Sequence, residues 1–419
     1  MQVYPHRILR ETHHIPPADC PTWLCMQSSM EKWVNGQPKH ALNLAREAAR
    51  RGIHCTSEWD VPLQAEIWLA TLTITLRQHG EAERSIATAE HSAVVTGNHR
   101  HQAVLTLLRA ALNWNLGRVS TALEQARSVL GAPEETAKSW KPYARVLLAL
   151  GALRRADLRT AGAYARQAAM DWALGNTHGP ACAWMVVQTT EAEHGAEAAA
   201  PLVDQLISPG QARERLLLTD PAAAAWLARF MVLRNRRNAE AIAVTARTLS
   251  TRSGGLPALE AAARHAEGLV HRSAADLLFA ADHHPDPWAA ASAREDLGVM
   301  LAAQGSSGRA GTVLEHAAAG YLTAQSPRDV ARVQRRLHRL GRSCDHADRP
   351  QEPGTGILGL TKTETAVAEL VALGLSNAQA AQKLFISRHT VAHHLRSIFK
   401  KLHISSRVEL ARTWMESCR

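Results

Sequence analysis

The chain has 419 residues, 46% of them hydrophobic, with 48 lysines and arginines against 38 acids, a net charge of +10. That length argues for two or three domains, the apolar content excludes wholesale disorder, and no run of about 20 apolar residues is present to cross a bilayer. The charge excess is uneven: residues 357–419 hold nine lysines and arginines against four glutamates, so a polyanionic partner is expected at that end.

The first residues, MQVYPHRILRETHHIPPADC, contain no apolar run of signal-peptide length, and a cytoplasmic location is expected. Residues 1–19 read as an N-terminal extension. Six cysteines are scattered along the chain, and only Cys20 and Cys25 are close together. A site built from them with His13 or His14 lacks the second close-spaced pair that zinc sets normally show, so neither a metal nor a disulfide framework is expected. No cofactor is expected either.

Residues 20–341 are rich in alanine, leucine and arginine, with glycine and proline mainly between segments. That is helical composition with helix punctuation. Segments starting at Trp68, Val104 and Val146 share one plan: an apolar helix, a short turn, then an alanine-rich helix. Turns are expected near Gly36, Gly80, Gly117, Asp157, Gly195, Arg237, Arg272 and Gly305. Helix pairs recurring near 34 residues resemble tetratricopeptide-type repeats, here in a degenerate form. The small residues Ala82, Ala122, Ala161, Ala198 and Ala241 let the paired helices approach closely. Stacked pairs bury faces that one pair cannot, giving a right-handed solenoid with a concave surface. Such a region binds a small-molecule or protein ligand. Trp68, Trp114, Trp184 and Trp226 sit on the first helices of pairs, which line the concave side in related solenoids, and serve packing more often than ligand contact.

Residues 342–356, polar and rich in proline and glycine, read as a flexible linker. Gly354, Gly356 and Gly359 form G-x-G-x-x-G, but that spacing signals dinucleotide binding only after a strand, and here it follows a polar linker.

Residues 357–419 read as four short helices. Thr361 to Glu364, Ser376 to Gln379 and Ser406 to Glu409 are capping boxes, and Ser387 can cap the helix between the last two. The tight connection between the second and third helices is a helix-turn-helix arrangement. On the third, Val391, Leu395, Ile398, Phe399 and Leu402 share one arc, while His389, His393, Arg396 and Lys400 lie opposite, flanked by Thr390, Ser397 and Lys401. The helix contains no acid. A solvated helix usually mixes signs, whereas a groove-reading helix needs donors and is hindered by acids.

These residues resemble the LuxR/FixJ-type helix-turn-helix domain of bacterial transcription regulators. The resemblance rests on Leu360-Thr361, Glu364, Gly374 to Asn377, Ala381, Leu384, Ile386-Ser387, Thr390-Val391, His394, Ile398, Lys401-Leu402 and Arg407 to Ala411. It implies that the third helix enters the major groove and that the fourth forms a dimer contact, with Leu410, Trp414 and Met415 as exposed apolar candidates. Two positions depart from the family: Ala392 stands where lysine is usual and His403 where glycine is usual. Repeats followed by this domain also resemble the C-terminal half of MalT-like large regulators without their ATPase module, as a shorter regulator or as a fragment.

The expectation is therefore an all-α chain, a tetratricopeptide-like helical solenoid followed by a four-helix LuxR-type helix-turn-helix domain. Its expected function is sequence-specific DNA binding at a two-fold site as a transcription regulator, an activator, with the solenoid sensing a signal. Arg396 is expected on a base edge, with His393 second. Thr390, Lys400, Lys401 and Arg407 are expected on phosphates, and Ser387, Arg388 and His389 complete the DNA-facing set. Double-stranded DNA, RNA polymerase and a second copy of the chain are the expected partners. The rival reading is a helical-repeat scaffold whose terminal domain pairs with a partner protein. No nucleophile motif, H-E-x-x-H or recognisable carboxylate pair points to an enzyme.

Overall fold

The computed structural model describes residues 20–52, 60–173, 180–341, 360, 362–384, 388–404 and 406–417. Among them are 23 α-helices and no strand, and no helix is long and apolar enough to cross a membrane. The chain divides into two compact units, Met1–Ser343 and Cys344–Arg419. His13, His14, Cys55 and the three glycines of 354–359 lie outside the described residues, as does the expected linker. Cys20 is buried and Cys25 half-buried, and no cluster of metal-ligating side chains occurs among the described residues.

The first unit is a series of helical hairpins: α1 (Pro21–Val34) with α2 (Pro38–Gly52), α3 (Val61–Thr75) with α4 (His79–Val95), and α5 (Gln102–Asn115) with α6 (Val119–Gly131). After the short α7 (Glu134–Ala137), α8 (Lys141–Arg154) pairs with α9 (Leu158–Ala173) and α10 (Pro180–His194) with α11 (Ala196–Ile207). A single helix α12 (Gly210–Thr219) interrupts the pattern. Then come α13 (Ala223–Val232) with α14 (Arg236–Arg252), α15 (Pro257–His271) with α16 (Ala274–His283), and α17 (Pro287–Ala303) with α18 (Ser307–Thr323), closed by α19 (Pro327–Arg339).

Each hairpin packs through alanine. Ala82, Ala122 and Ala161 are completely buried, as the sequence led us to expect. Ala198 is exposed and Ala241 half-buried, while Ala199 and Ala239 are buried in their place. Around Ala241 the cause is a turn earlier than expected: Asn235 caps α14, its side chain accepting from the Asn238 N–H, which puts Arg237 inside the helix. Gly80 likewise falls inside α4, the turn being made by Arg77 in the left-handed region at φ +58°. Gly36, Gly117 and Gly305 occupy the same region at their turns, where glycine costs nothing and a side chain costs about 1–2 kcal/mol.

The solenoid also closes on itself. The Arg252 guanidinium donates to the Asn35 carbonyl at 2.8 Å, 217 residues away along the chain. The Ser120 N–H donates to Gln325 Oε1 at 2.7 Å across 205 residues. A Cβ on Gly117 would lie 3.2 Å from the Ala324 Cα. Arg77 reaches Asp220 at 3.5 Å and Asp286 at 3.8 Å. Of the four tryptophans singled out, Trp68 is buried and donates to Ser29 Oγ at 2.8 Å, and Trp184 is buried and donates to Asp220 at 3.0 Å. Trp114 and Trp226 instead border a partly open cavity.

Two outcomes follow. Gly117 and Gly97 both have left-handed φ, but a Cβ on Gly97 meets nothing within 4 Å. Gly97→Ala should therefore cost only the backbone term of about 1 kcal/mol, and Gly117→Ala about 1–2 kcal/mol more from the crowded closure, read by urea unfolding. Second, burial pushes the His284 imidazole down to about 3. The unfolded chain then takes the proton first, near pH 6.5. Stability is complete above that value and falls toward pH 3, by up to about 1.4 kcal/mol per pH unit for this one proton. His284→Asn should flatten the acid limb of the stability curve by that slope.

Candidate nucleic-acid interface

The second unit contains α20 (Lys362–Ala372), α21 (Asn377–Leu384), α22 (Arg388–Leu402) and α23 (Arg407–Ser417). Local chemistry sets their ends. Gly374 at φ +86° stops α20, with the Leu375 N–H returning to the Leu370 carbonyl at 3.1 Å, the double-turn closure that a left-handed glycine permits. Ser376 and Gln379 form the expected reciprocal box: the Gln379 N–H donates to Ser376 Oγ at 3.3 Å and the Ser376 N–H to Gln379 Oε1 at 2.8 Å. At α23 the Glu409 N–H donates to Ser406 Oγ at 3.2 Å. Thr361 and Ser387, the other two expected caps, lie outside the described residues.

Val391, Leu395 and Ile398 of α22 are buried against Val367, Ala368 and Val371 of α20 and Ala381 of α21, with Phe399 and Leu402 partly buried beside them. This leaves His393, Arg396 and Lys400 exposed on the opposite side, spaced i, i+3, i+7 and so aligned in one stripe. Ala392 next to them is half-buried, and its carbonyl accepts from Arg396 Nε at 3.4 Å. Arg388 and His389 begin the helix, and Thr390 is half-buried.

One expectation is revised, and two expected DNA-facing residues also have partners within the domain. Leu410 and Trp414, expected on the surface, are buried in the unit's own core. They lie i, i+4 on the face of α23 that packs on α20, which leaves Met415 as the exposed member of the three, at 63%. Lys401 stays exposed but is engaged: its ammonium donates to Glu364 Oε2 at 2.7 Å, and Ser397 Oγ donates to the other carboxylate oxygen at 2.7 Å. Arg407 donates to Asn377 Oδ1 at 3.3 Å and to the Leu375 carbonyl, so it fastens the start of α23 to the start of α21.

Glu364 is the residue whose role the sequence reading missed. Only 5% exposed, it ties α20 to the flank of α22 and fixes the rotation of the exposed stripe. The signal was Ser397 and Lys401 at i, i+4, a donor pair on the flank of an acid-free helix. His394 is half-buried, its ring 6.1 Å from that of His393. Burial and the His393 charge lower its pKa against the opposing Glu364, which keeps this imidazole neutral to lower pH than an exposed one.

His403 follows Lys401-Leu402 in the left-handed region at φ +52°, with the Ile404 N–H returning to the Phe399 carbonyl at 3.0 Å. The turn geometry of a glycine is thus retained with a histidine. His403→Gly should raise the unfolding free energy of residues 350–419 by about 1 kcal/mol and leave DNA sequence preference unchanged, as urea titration and binding-site selection would read.

Comparison with known proteins agrees with this geometry. The sequence profile of bacterial regulatory proteins of the luxR family matches residues 358–414. An HTH-type transcriptional regulator of Mycobacterium bovis is 45% identical over 60 residues, 14% of this chain and 7% of that protein. A nitrate/nitrite response regulator protein homolog of Haemophilus influenzae is 43% identical over 63 residues, 15% of this chain and 27% of that one. The match thus spans a minor part of each relative. Over 76% of this chain and 97% of the other, the chain also resembles a crystal structure of a Rap protein complexed with competence and sporulation factor, at 11% identity and a TM-score of 0.41. Helical repeats in the first unit are therefore joined, in one chain, to a LuxR-family helix-turn-helix domain at residues 358–414.

Proposed function

We propose that this chain is a sequence-specific DNA-binding transcription regulator, an activator, and that α22 reads the major groove. The observation that carries the reading is the exposed stripe of His393, Arg396 and Lys400 on a helix without acids, whose opposite face is the domain core. Arg396 offers the planar fork that suits guanine O6 and N7. Lys400, with Arg388, His389, Thr390 and Ser387 toward the start of the helix, is assigned to the DNA side. Lys401 and Arg407 act first by fixing the helices, and reach phosphates only with donors beyond those they spend on Glu364 and Asn377.

The proposal includes a homodimer on an inverted-repeat site. Its contact is assigned to the outer face of α23 around Met415, since Leu410 and Trp414 are used internally. Docking on RNA polymerase and control by a ligand of the repeat unit complete the reading.

Affinity sequencing of sheared genomic DNA, with the full chain and with residues 350–419, tests it directly. Enrichment of an inverted repeat by either supports the reading; no enrichment by both would return the scaffold alternative. Arg396→Ala should cost about 1–3 kcal/mol and relax preference at one base pair. Lys400→Ala should weaken all sites alike and lower the salt slope by about one. An unchanged slope assigns Lys400 to solvent instead.

A further inference from the structure

The first unit contains a partly open cavity of about 400 Å3, bordered by side chains from α5, α8, α10, α13, α17 and α19. Seven arginines and six acids line it, and the acids have partners. Asp296 accepts from Arg229 and from His265 at 2.8 Å. Glu295 accepts from Arg332 at 2.8 Å and from the Tyr321 hydroxyl at 2.7 Å. Asp329 accepts from Trp288 Nε1 at 2.8 Å and from Arg332. Asp286 caps α17, accepting from the Trp288 N–H at 2.9 Å. Asp220 accepts from Trp184 and Arg77, and Glu191 lies 4.0 Å from Arg328.

Arg154 is different. Its guanidinium lies between two indoles, 3.8 Å from the Trp114 centroid and 5.1 Å from that of Trp288. It forms no ion pair among the described residues, and its buried Nη1 has no hydrogen-bond partner. Burial lowers its pKa, opposed by Asp286 and Asp329, yet a guanidinium stays charged in proteins. A cation held this way is costly unless an anion joins it. Arg77, paired with Asp220 and Asp286, is a second arginine on the wall. It occupies a left-handed position that glycine fills at equivalent turns, and its buried Nε is also unpartnered. Nearby, Trp226 stacks on Phe230 with centroids 5.1 Å apart and planes 12° apart, the Arg234 guanidinium lies 4.6 Å from the Phe230 centroid, and both rings border the cavity.

We propose that this cavity binds a small organic monoanion, a carboxylate carried on a flat apolar body, with the carboxylate at Arg154 and the body against Trp226 and Phe230. Arg154 is the one lining arginine without an ion pair among the described residues, which favours a single negative charge, and the surrounding carboxylates, Asp220, Asp286 and Asp329 among them, disfavour a dianion such as a phosphate monoester. The volume falls in the range of about 300–1,000 Å3 typical of small-molecule sites. The inference gives the ligand class for the sensing unit and rests on the proposed function only for its regulatory meaning.

The test uses the full-length chain without DNA and a panel of aromatic monocarboxylates, benzoate to indole-3-butyrate, each paired with its neutral amide. Stabilisation against heat is followed up to about 10 mM, where even weak ligands raise the melting temperature, and affinities of responders follow by calorimetry. At least one acid should bind tenfold or more tightly than its amide. Arg154→Met should abolish that preference while leaving the ligand-free melting temperature unchanged or higher, because an unpaired buried charge is gone. Arg154→Lys keeps the charge without the fork and should weaken the acid about tenfold; it serves as the decisive variant should the methionine protein not fold. Equal responses to acids and amides, no response at all, or an undiminished preference in the folded variants would overturn the proposal. A folded Arg154→Met protein with a lower ligand-free melting temperature would overturn it as well, by making Arg154 a structural cation–π stack. DNA affinity of the same preparations is measured separately, so failure here and failure of the DNA-binding reading are told apart.

Discussion

Close approach of paired helices through alanine is the constraint on which the first unit depends. Fully buried alanines at 82, 122, 161, 239 and 310 bring the helix axes near enough for leucine and valine from the next hairpin to fill the groove between them. Larger side chains there would separate the helices and leave the apolar first helices, such as α3 with nearly every residue buried, facing water. Because alanine loses no side-chain entropy on burial, the stack forms with little opposing cost at these positions.

The second unit solves a different problem with a polar device. A groove-reading helix must show a basic face outward and still be held at a fixed rotation. Apolar packing through Val391, Leu395 and Ile398 sets the inward direction. Glu364, held by Ser397 and Lys401, adds a directional restraint at the flank, where hydrophobic contact is indifferent to small rotations. The lysine that pairs with it is 36% exposed and the glutamate 6%. The pair therefore sits at the edge of the core, where one partner is desolvated and the other stays hydrated.

Much of this was legible in the sequence. Glycine turns at 36, 117 and 305, the capping boxes at 376 and 406, and the two faces of α22 follow from local rules of conformation and periodicity. What was not legible depends on partners far away in the chain. Arg77 makes a turn where glycine was sought, because its side chain reaches Asp220 and Asp286. Leu410 and Trp414, expected on the surface, become core only once α20 is placed against them. The cross-contacts of Asn35 and Ser120 involve single polar groups with no periodic signature.

Closure of the repeats changes how the unit can vary. In an open solenoid a hairpin can be gained or lost at modest cost, since each contacts only its neighbours. Here Gln325 must meet Ser120, and Arg252 must meet Asn35. Inserting or deleting one hairpin between Ser120 and Arg252 would carry one partner of each pair a full repeat out of reach. The number of repeats is thus fixed by geometry, and duplication, the ordinary route by which such arrays lengthen, is shut to this one.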